Sequence, residues 1–301
     1  MSKIPLYVQK EHKSLAGWNR TIIRLLGDSG LFDVQDKDLP EVYSQKPGAR
    51  QQNWNLIEVE GKTIGIDTWD TFHPTTRFYA LGYFHKKGQI RPLDKKKMKE
   101  DGPLSGVDLL IKIQWYKNKT WSTISDTLGI PVKSWTVMPN ALFPLEPFQW
   151  KNGRHKYVTI LTGKNNRFGR QPWVDYCVKH KGFFSFENYL ARFPMEEYIH
   201  KLKRTKWGLS LKGRQRNHDG KNRRECEYSS CGMPMALNYQ PTYDFPFEAG
   251  KHYVLLSKPE DLEKLRDIDP VPYHEASMDV YEKYFSPVGM SKMLLNMVRE
   301  L

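Results

Sequence analysis

Between Lys206 and Leu256 the chain reads KWGLSLKGRQRNHDGKNRRECEYSSCGMPMALNYQPTYDFPFEAGKHYVLL, a succession of strand, basic loop, short helix, strand and strand. The apolar run from Trp207 to Leu211 has strand length and breaks at Gly213 into a polar loop. That loop carries Arg214, Arg216, Asn217, His218, Asp219, Asn222, Arg223 and Arg224. Arg224 to Ser230 reads as a helix on which Arg224 and Glu227, at i and i+3, share a face, and Cys231-Gly232 stops it. Met235 to Asn238 reads as a second buried strand. Glu248-Ala249-Gly250 then punctuates before a third strand, His252 to Leu256.

When parallel strands of an α/β sheet end at one edge, a ligand lies across those ends, and a cationic loop leading into a helix there suits phosphate. The ordered run is Lys212-Gly213-Arg214, Arg224-Glu225-Cys226-Glu227, Gly232-Met233-Pro234, a small apolar strand, and Gly250-Lys251-His252-Tyr253. It resembles the donor-binding half of GT-B glycosyltransferases, in particular the exostosin-like and viral-type group with its Arg-x-x-Glu, Gly-x-Pro and Gly-x-x-Tyr/Val pattern. The likeness covers roughly the last third of the chain. It implies an α/β fold of two Rossmann-type domains facing a central cleft. It also implies that Glu227 grips the ribose of a nucleotide-sugar, and that Lys212, Gly213, Arg214, Arg223 and Arg224 line the donor site, with Arg167 and Arg170 as further phosphate cations. Taken singly, these residues have plainer readings: Arg224 and Glu227 fit an intrahelical ion pair, and Cys231 fits a small buried filler.

A chain of 301 residues exceeds what one ordinary core serves, which points to two domains. The content of 39% hydrophobic and 27% charged residues is that of a folded chain with a polar surface rather than of a disordered one. The net charge of +13 favours polyanionic partners without choosing among nucleic acid, an anionic membrane face and an anionic donor. Cys177, Cys226 and Cys231 lack zinc-ligand spacing and are expected as reduced thiols. The amino terminus lacks the apolar run of a signal peptide, so the cytoplasm, or the host cytoplasm for a viral chain, is the expected compartment.

From the start, Ile4 to Gln9 reads as a strand and Ser14 to Leu26 as a helix; Leu31 to Val34 follows as a short strand. A loop is expected over 45–53. Leu56 to Val59 and Lys62 to Ile66 then form two strands around a Glu60-Gly61 turn. Directly after them stand Asp67, Asp70 and His73, two carboxylates and an imidazole at a strand end, before a helix that Pro74 can start. They are the candidate general bases, and each also fits a helix or turn cap. Further strands are expected at Val107 to Trp115 and Ser134 to Met138, with a helix at Trp121 to Leu128. The prolines of 139–153 mark a linker, giving an acceptor domain over 1–145, a donor domain over 146–277, and helices over 278–301, broken at Pro287, that pack back on the first domain by resemblance.

Tyr157 to Thr162 reads as a strand, followed by the glycine-rich basic loop 163–170 with Arg167 and Arg170 and a helix from Pro172 to His180. The loop has neither Walker spacing nor a paired-glycine dinucleotide fingerprint. The aromatic run Phe183 to Phe193 is read as core, Pro194 to Arg204 as an amphipathic helix, and Pro259 to Ile268 as a helix.

The expected reaction is glycosyl transfer from a UDP- or GDP-linked sugar to a saccharide hydroxyl. The donor is a co-substrate, and no other cofactor is expected. No metal is expected, because Asp67-Thr68-Trp69-Asp70 is not an Asp-x-Asp triplet. Inversion is the first reading, and retention stays open: the Glu-x7-Glu pattern of retaining relatives is approached at Glu227, where the acid eight positions earlier is Asp219 rather than Glu. Two alternatives stay open: the same chemistry on a hydroxylated base in DNA, which the charge suits, and a basic nucleic-acid-binding protein without activity.

Overall fold

A computed structural model describes residues 2–9, 18–39, 54–67, 106–112, 130–135, 156–161, 169–180, 184–188, 202, 205–212, 223–241, 243 and 245–301. The chain divides into two units, one of Met1–Pro139 with Pro287–Leu301 and one of Asn140–Ser286.

In the first unit the described strands are β1 (Ile4–Gln9), β2 (Phe32–Lys37), β3 (Trp54–Val59), β4 (Lys62–Asp67), β5 (Leu109–Lys112) and β6 (Val132–Ser134). They lie in the order β2-β1-β3-β4-β5-β6. β1 and β2 are parallel across helix α1 (Trp18–Asp28), and β4, β5 and β6 are parallel, but β3 runs against both its neighbours. The sheet is therefore mixed. Glu60 (φ 50°) and Gly61 (φ 75°) close the β3–β4 hairpin with positive φ at both central positions, the turn whose twist matches the flanking strands.

Leu6 and Val8 are fully buried while Pro5 between its neighbours is exposed, the period-two pattern of a strand with one face on a core. Ile22, Leu25 and Leu26 present the buried stripe of α1, against which helix α5 (Pro287–Arg299) packs through the last stretch of the chain. Trp135, fully buried, donates its indole N–H to the Met290 carbonyl of α5 at 3.3 Å. Arg299 at the end of α5 forks onto Glu60, with Nη2 2.6 Å from Oε1 and Nε 3.1 Å from Oε2, and this holds the Glu60 carboxyl below its ordinary range.

The second unit contains β7 (Lys156–Leu161), β8 (Phe184–Asn188), β9 (Thr205–Ser210), β10 (Met235–Leu237) and β11 (Tyr253–Leu255), in the order β11-β10-β9-β7-β8. Every pairing in it is parallel. Helix α2 (Gln171–Lys179) lies between β7 and β8 in sequence, and α3 (Arg223–Ser230) between β9 and β10. The fold class is thus α/β with a doubly wound parallel sheet in this unit.

β9 is covered on both faces, as a central parallel strand must be. Trp207, Leu209 and Leu211 join Trp173, Val174 and Cys177 of α2 and Leu262 and Leu265 in one core. On the opposite face Gly208 lies under α3, where a Cβ would stand 2.7 Å from the Tyr228 ring and 2.7 Å from the Met233 sulfur. After β11 come a 3-10 helix (Pro259–Arg266), α4 (Val271–Val280) and a π-helical turn (Tyr281–Phe285). Around that turn Phe245 stacks on Tyr284 with ring centroids 3.9 Å apart, and Tyr243, Phe247 and Phe285 close the aromatic cluster.

Some expectations shift. Of the strand expected at Ser134 to Met138, Ser134 ends β6 (Val132–Ser134), Trp135 follows it outside the strand, and 136–138 lie outside the described residues. The aromatic run after Gly182 contains β8, an edge strand paired to β7 alone among the described strands. The helix from Pro259 is a 3-10 helix: Asp261 Oδ2 accepts the Ser257 and Lys258 amides at 2.8 and 3.1 Å, and the Asp261 amide returns to the Lys258 carbonyl at 3.0 Å. The last helical region begins at Val271, ahead of the expected Met278. The expected loop at 45–53, the helices at 74–84 and 121–128, and 140–153 lie outside the described residues, as does 194–204 apart from buried Leu202. Among the described residues no helix is long and apolar enough to cross a membrane.

Candidate active site

In the second unit the strand order reverses between β7 and β9: β8 lies on one side of this pair, β10 and β11 on the other. Connections leaving two such strands diverge to opposite faces and open a crevice at their carboxyl ends, where open α/β sheets bind ligands. The segment after β7 enters α2 through Gly169, whose φ of 70° suits a residue without a Cβ, and Arg170. The segment after β9 starts with Leu211 and Lys212.

Arg170 joins the two. Its Nε donates to the Lys212 carbonyl at 3.0 Å and its Nη2 to the Leu211 carbonyl at 3.3 Å. The Lys212 amide donates to Asn238 Oδ1 at 2.7 Å, so the segment after β9 is tied to the end of β10 as well. Burial first, and then the charge of Arg224, lower the pKa of Arg170. Two guanidinium groups therefore act on each other at this edge, an arrangement that favours an anion between or beside them.

Arg224 stands in the first turn of α3 and Glu227 one turn on, both only 6% exposed. Arg224 also reaches the hydroxyl of Tyr228, which donates to the Leu209 carbonyl at 3.1 Å and whose pKa burial pushes up to about 12. Gly232, with φ 65°, ends the helix, and the Met233 amide returns to the Tyr228 carbonyl at 2.8 Å. Cys231 donates its thiol to the carbonyls of Glu227 and Tyr228, both at 3.3 Å, and burial raises its pKa, so it is an inert filler. Cys177, Cys226 and Cys231 are all buried free thiols.

One group at this edge escapes a reading of the sequence. Glu225 is fully buried, and it accepts hydrogen bonds from two tyrosines of the segment after β10: Tyr239 to Oε1, and Tyr243 to Oε2 at 2.6 Å. Tyr239 also lies 3.0 Å from the hydroxyl of Ser210, the last residue of β9. An acid in the first turn of a helix is a recognisable signal, but its partners lie a strand and a loop further on.

The fold thus brings Arg170, Lys212, Arg224 and Glu227 to one edge of one sheet, with Arg223 as the first residue of α3. Gly213, Arg214 and Arg167 lie outside the described residues, as do Asp70 and His73. Asp67 ends β4 in the first unit, opposite Trp54 of β3 and Lys112 of β5. Among the described residues no group of three His, Cys, Asp or Glu side chains could hold a metal ion.

Residues 154–270 match a family model described as glycosyl transferase-like, so the second unit carries a glycosyltransferase-like domain. No curated protein matches the chain. Among solved structures, the accessory secretory proteins 1, 2 and 3 of Streptococcus pneumoniae share 9% identity over 70% of this chain and 46% of theirs, with a TM-score of 0.40. The pneumococcal O-GlcNAc transferase GtfA, in complex with UDP and GlcNAc, shares 10% identity over 72% of this chain and 50% of its own, with a TM-score of 0.38. The chain spans about half the length of these proteins.

Proposed function

We propose that the protein is a glycosyltransferase of GT-B type, which takes a UDP- or GDP-linked sugar at the carboxyl edge of the β7–β9 sheet and passes the sugar to a saccharide hydroxyl. The observation that carries this reading is the pair Arg170 and Arg224 at the switch point of a doubly wound sheet, within a stretch that matches a glycosyl transferase-like family.

In the reaction the bond from the anomeric carbon to the diphosphate oxygen breaks, a bond to the acceptor oxygen forms, and the acceptor's proton passes to a base. Negative charge grows on the departing diphosphate. The Arg224 guanidinium with that of Arg170, and Lys212, Arg214 and Arg167 on the adjoining segments, stabilise that charge where a metal ion would otherwise do so. Arg223 adds to the same field. Glu227 accepts hydrogen bonds from the ribose hydroxyls. On the acceptor side Asp70 is the base, with Asp67 second and His73 orienting either, and attack from the face opposite the leaving group inverts the anomeric centre.

Titration calorimetry with UDP and GDP, followed by incubation with labelled nucleotide-sugars and either mixed oligosaccharides or hydroxymethylated duplex DNA, tests the reading. It expects one nucleotide to bind and label to enter oligosaccharide. Label entering DNA alone moves the acceptor to nucleic acid, an outcome that the net charge of +13 keeps in view. Salt-sensitive DNA binding without donor consumption rejects the enzyme reading altogether.

A further inference from the structure

Glu225 sits between Arg224 and Glu227 in sequence yet on a different side of α3, since residues at i and i+3 share a face and i+1 does not. It is fully buried, so no ligand reaches it. Both its oxygens are engaged by hydroxyls from the segment leaving β10. Through Tyr239 the same network reaches Ser210 at the end of β9. One carboxylate therefore gathers the ends of two neighbouring strands and the start of the helix that bears Arg224 and Glu227. Burial and the charge of Glu225 raise the pKa of Tyr243 well above the ordinary tyrosine range, so its hydroxyl stays a donor.

A buried carboxylate is a poor way to gain stability, because an apolar side chain of similar size packs at least as well. Its return is a single enforced geometry. We propose that Glu225 is a positioning residue: by holding Tyr239 and Tyr243, it fixes the segment after β10 against α3 and sets the placement of Arg224 and Glu227 for the nucleotide diphosphate. This rests on the donor reading given above.

The test uses the full chain with Tyr243→Phe, Tyr239→Phe, Glu225→Gln and Glu225→Ala, measuring amide hydrogen exchange and the Kd for UDP and GDP. Each Phe variant deletes one hydroxyl without changing ring packing. Exchange over 238–247 is expected to quicken about tenfold in Tyr243→Phe, the scale of one charge-assisted hydrogen bond, while β7 and β9 stay protected. Kd for the nucleotide that the wild type binds rises about fivefold to tenfold in the same variant. Glu225→Gln, which keeps one acceptor and gains a donor, is milder than Glu225→Ala in both readouts. Unchanged exchange in Tyr243→Phe and Glu225→Gln overturns the proposal. So does faster exchange with unchanged nucleotide affinity, which marks the network as structural only. If the wild type binds neither nucleotide, the donor reading falls, and the exchange measurements still decide whether Glu225 holds the segment.

Discussion

Arg170 donates through Nε to the carbonyl of Lys212 at 3.0 Å, joining the segments after β7 and β9 at the point where the sheet reverses its winding. A second donor, Nη2, meets the Leu211 carbonyl, so the planar fork spans two successive peptide oxygens. The group at this position thus shapes the crevice as well as charging it.

Arg170→Lys separates the two contributions. Lysine keeps the charge but cannot bridge both carbonyls in a fixed plane, and one such bond is worth about 1.5–3 kcal/mol. Thermal unfolding is expected to shift down by several degrees, with weaker nucleotide binding. A variant with wild-type melting and a raised Kd would instead place Arg170 mainly on the ligand.

Glu227→Ala is expected to weaken nucleotide binding by about 1.5–3 kcal/mol, the loss of charged hydrogen bonds to the ribose, with the fold retained. Calorimetric titration against whichever of UDP and GDP binds the wild type gives the comparison. Unchanged affinity removes Glu227 from the site. Arg224→Ala serves as the companion, since Arg224 also reaches the Tyr228 hydroxyl and its loss should cost stability too.

The helix that bears these residues was legible because its start, its i,i+3 pair and its Gly232 stop are all local signals. So were β9, β10 and β11, whose apolar runs are bounded by glycine and polar residues. Glu225 was not legible: nothing near it in sequence indicates a pairing with Tyr239 and Tyr243, which depends on β10 lying beside β9. The tie from Arg170 to Lys212 is of the same kind, a contact across 42 positions made by strand order alone. β8 escaped notice because aromatic residues in an edge strand read equally well as core filling. In the first unit the Glu60-Gly61 turn was plain, and with it the antiparallel β3–β4 pair, but the antiparallel pairing of β3 with β1 was not, since no short turn joins those two strands.

Gly208→Ala tests the contact between β9 and α3. The new Cβ would meet the Tyr228 ring and the Met233 sulfur at 2.7 Å, and the ring is anchored by its hydroxyl on the Leu209 carbonyl. Overpacking of this kind costs about 1–3 kcal/mol. Gly250→Ala is the control for a different cause: its φ of 82° strains any side chain, but nothing lies within 4 Å of the added Cβ. Chemical denaturation together with calorimetric titration of the nucleotide should show Gly208→Ala losing nucleotide affinity along with stability, and Gly250→Ala losing stability alone. Equal nucleotide affinity in both variants argues against a site resting on α3.

His252 supplies a pH dependence whose sign follows from geometry. Its Nδ1 accepts the Glu248 amide at 2.9 Å, a bond that requires an unprotonated Nδ1, and the ring is stacked on Phe247 with only 4% of the residue exposed. Burial first, then the charge of Lys251, lowers its pKa. With the folded pKa below the unfolded one, His252 contributes its full stability above the unfolded value, about 6.5, and that contribution declines as pH falls toward the folded value, because only the unfolded chain takes up the proton. His252→Gln does not titrate and can still offer an oxygen to the Glu248 amide. Melting temperatures measured between pH 7.5 and pH 5 should therefore fall less steeply for His252→Gln than for the wild type, even where the variant is less stable at the upper end. Parallel falls in the two proteins would mean that another group carries the acid sensitivity of this turn.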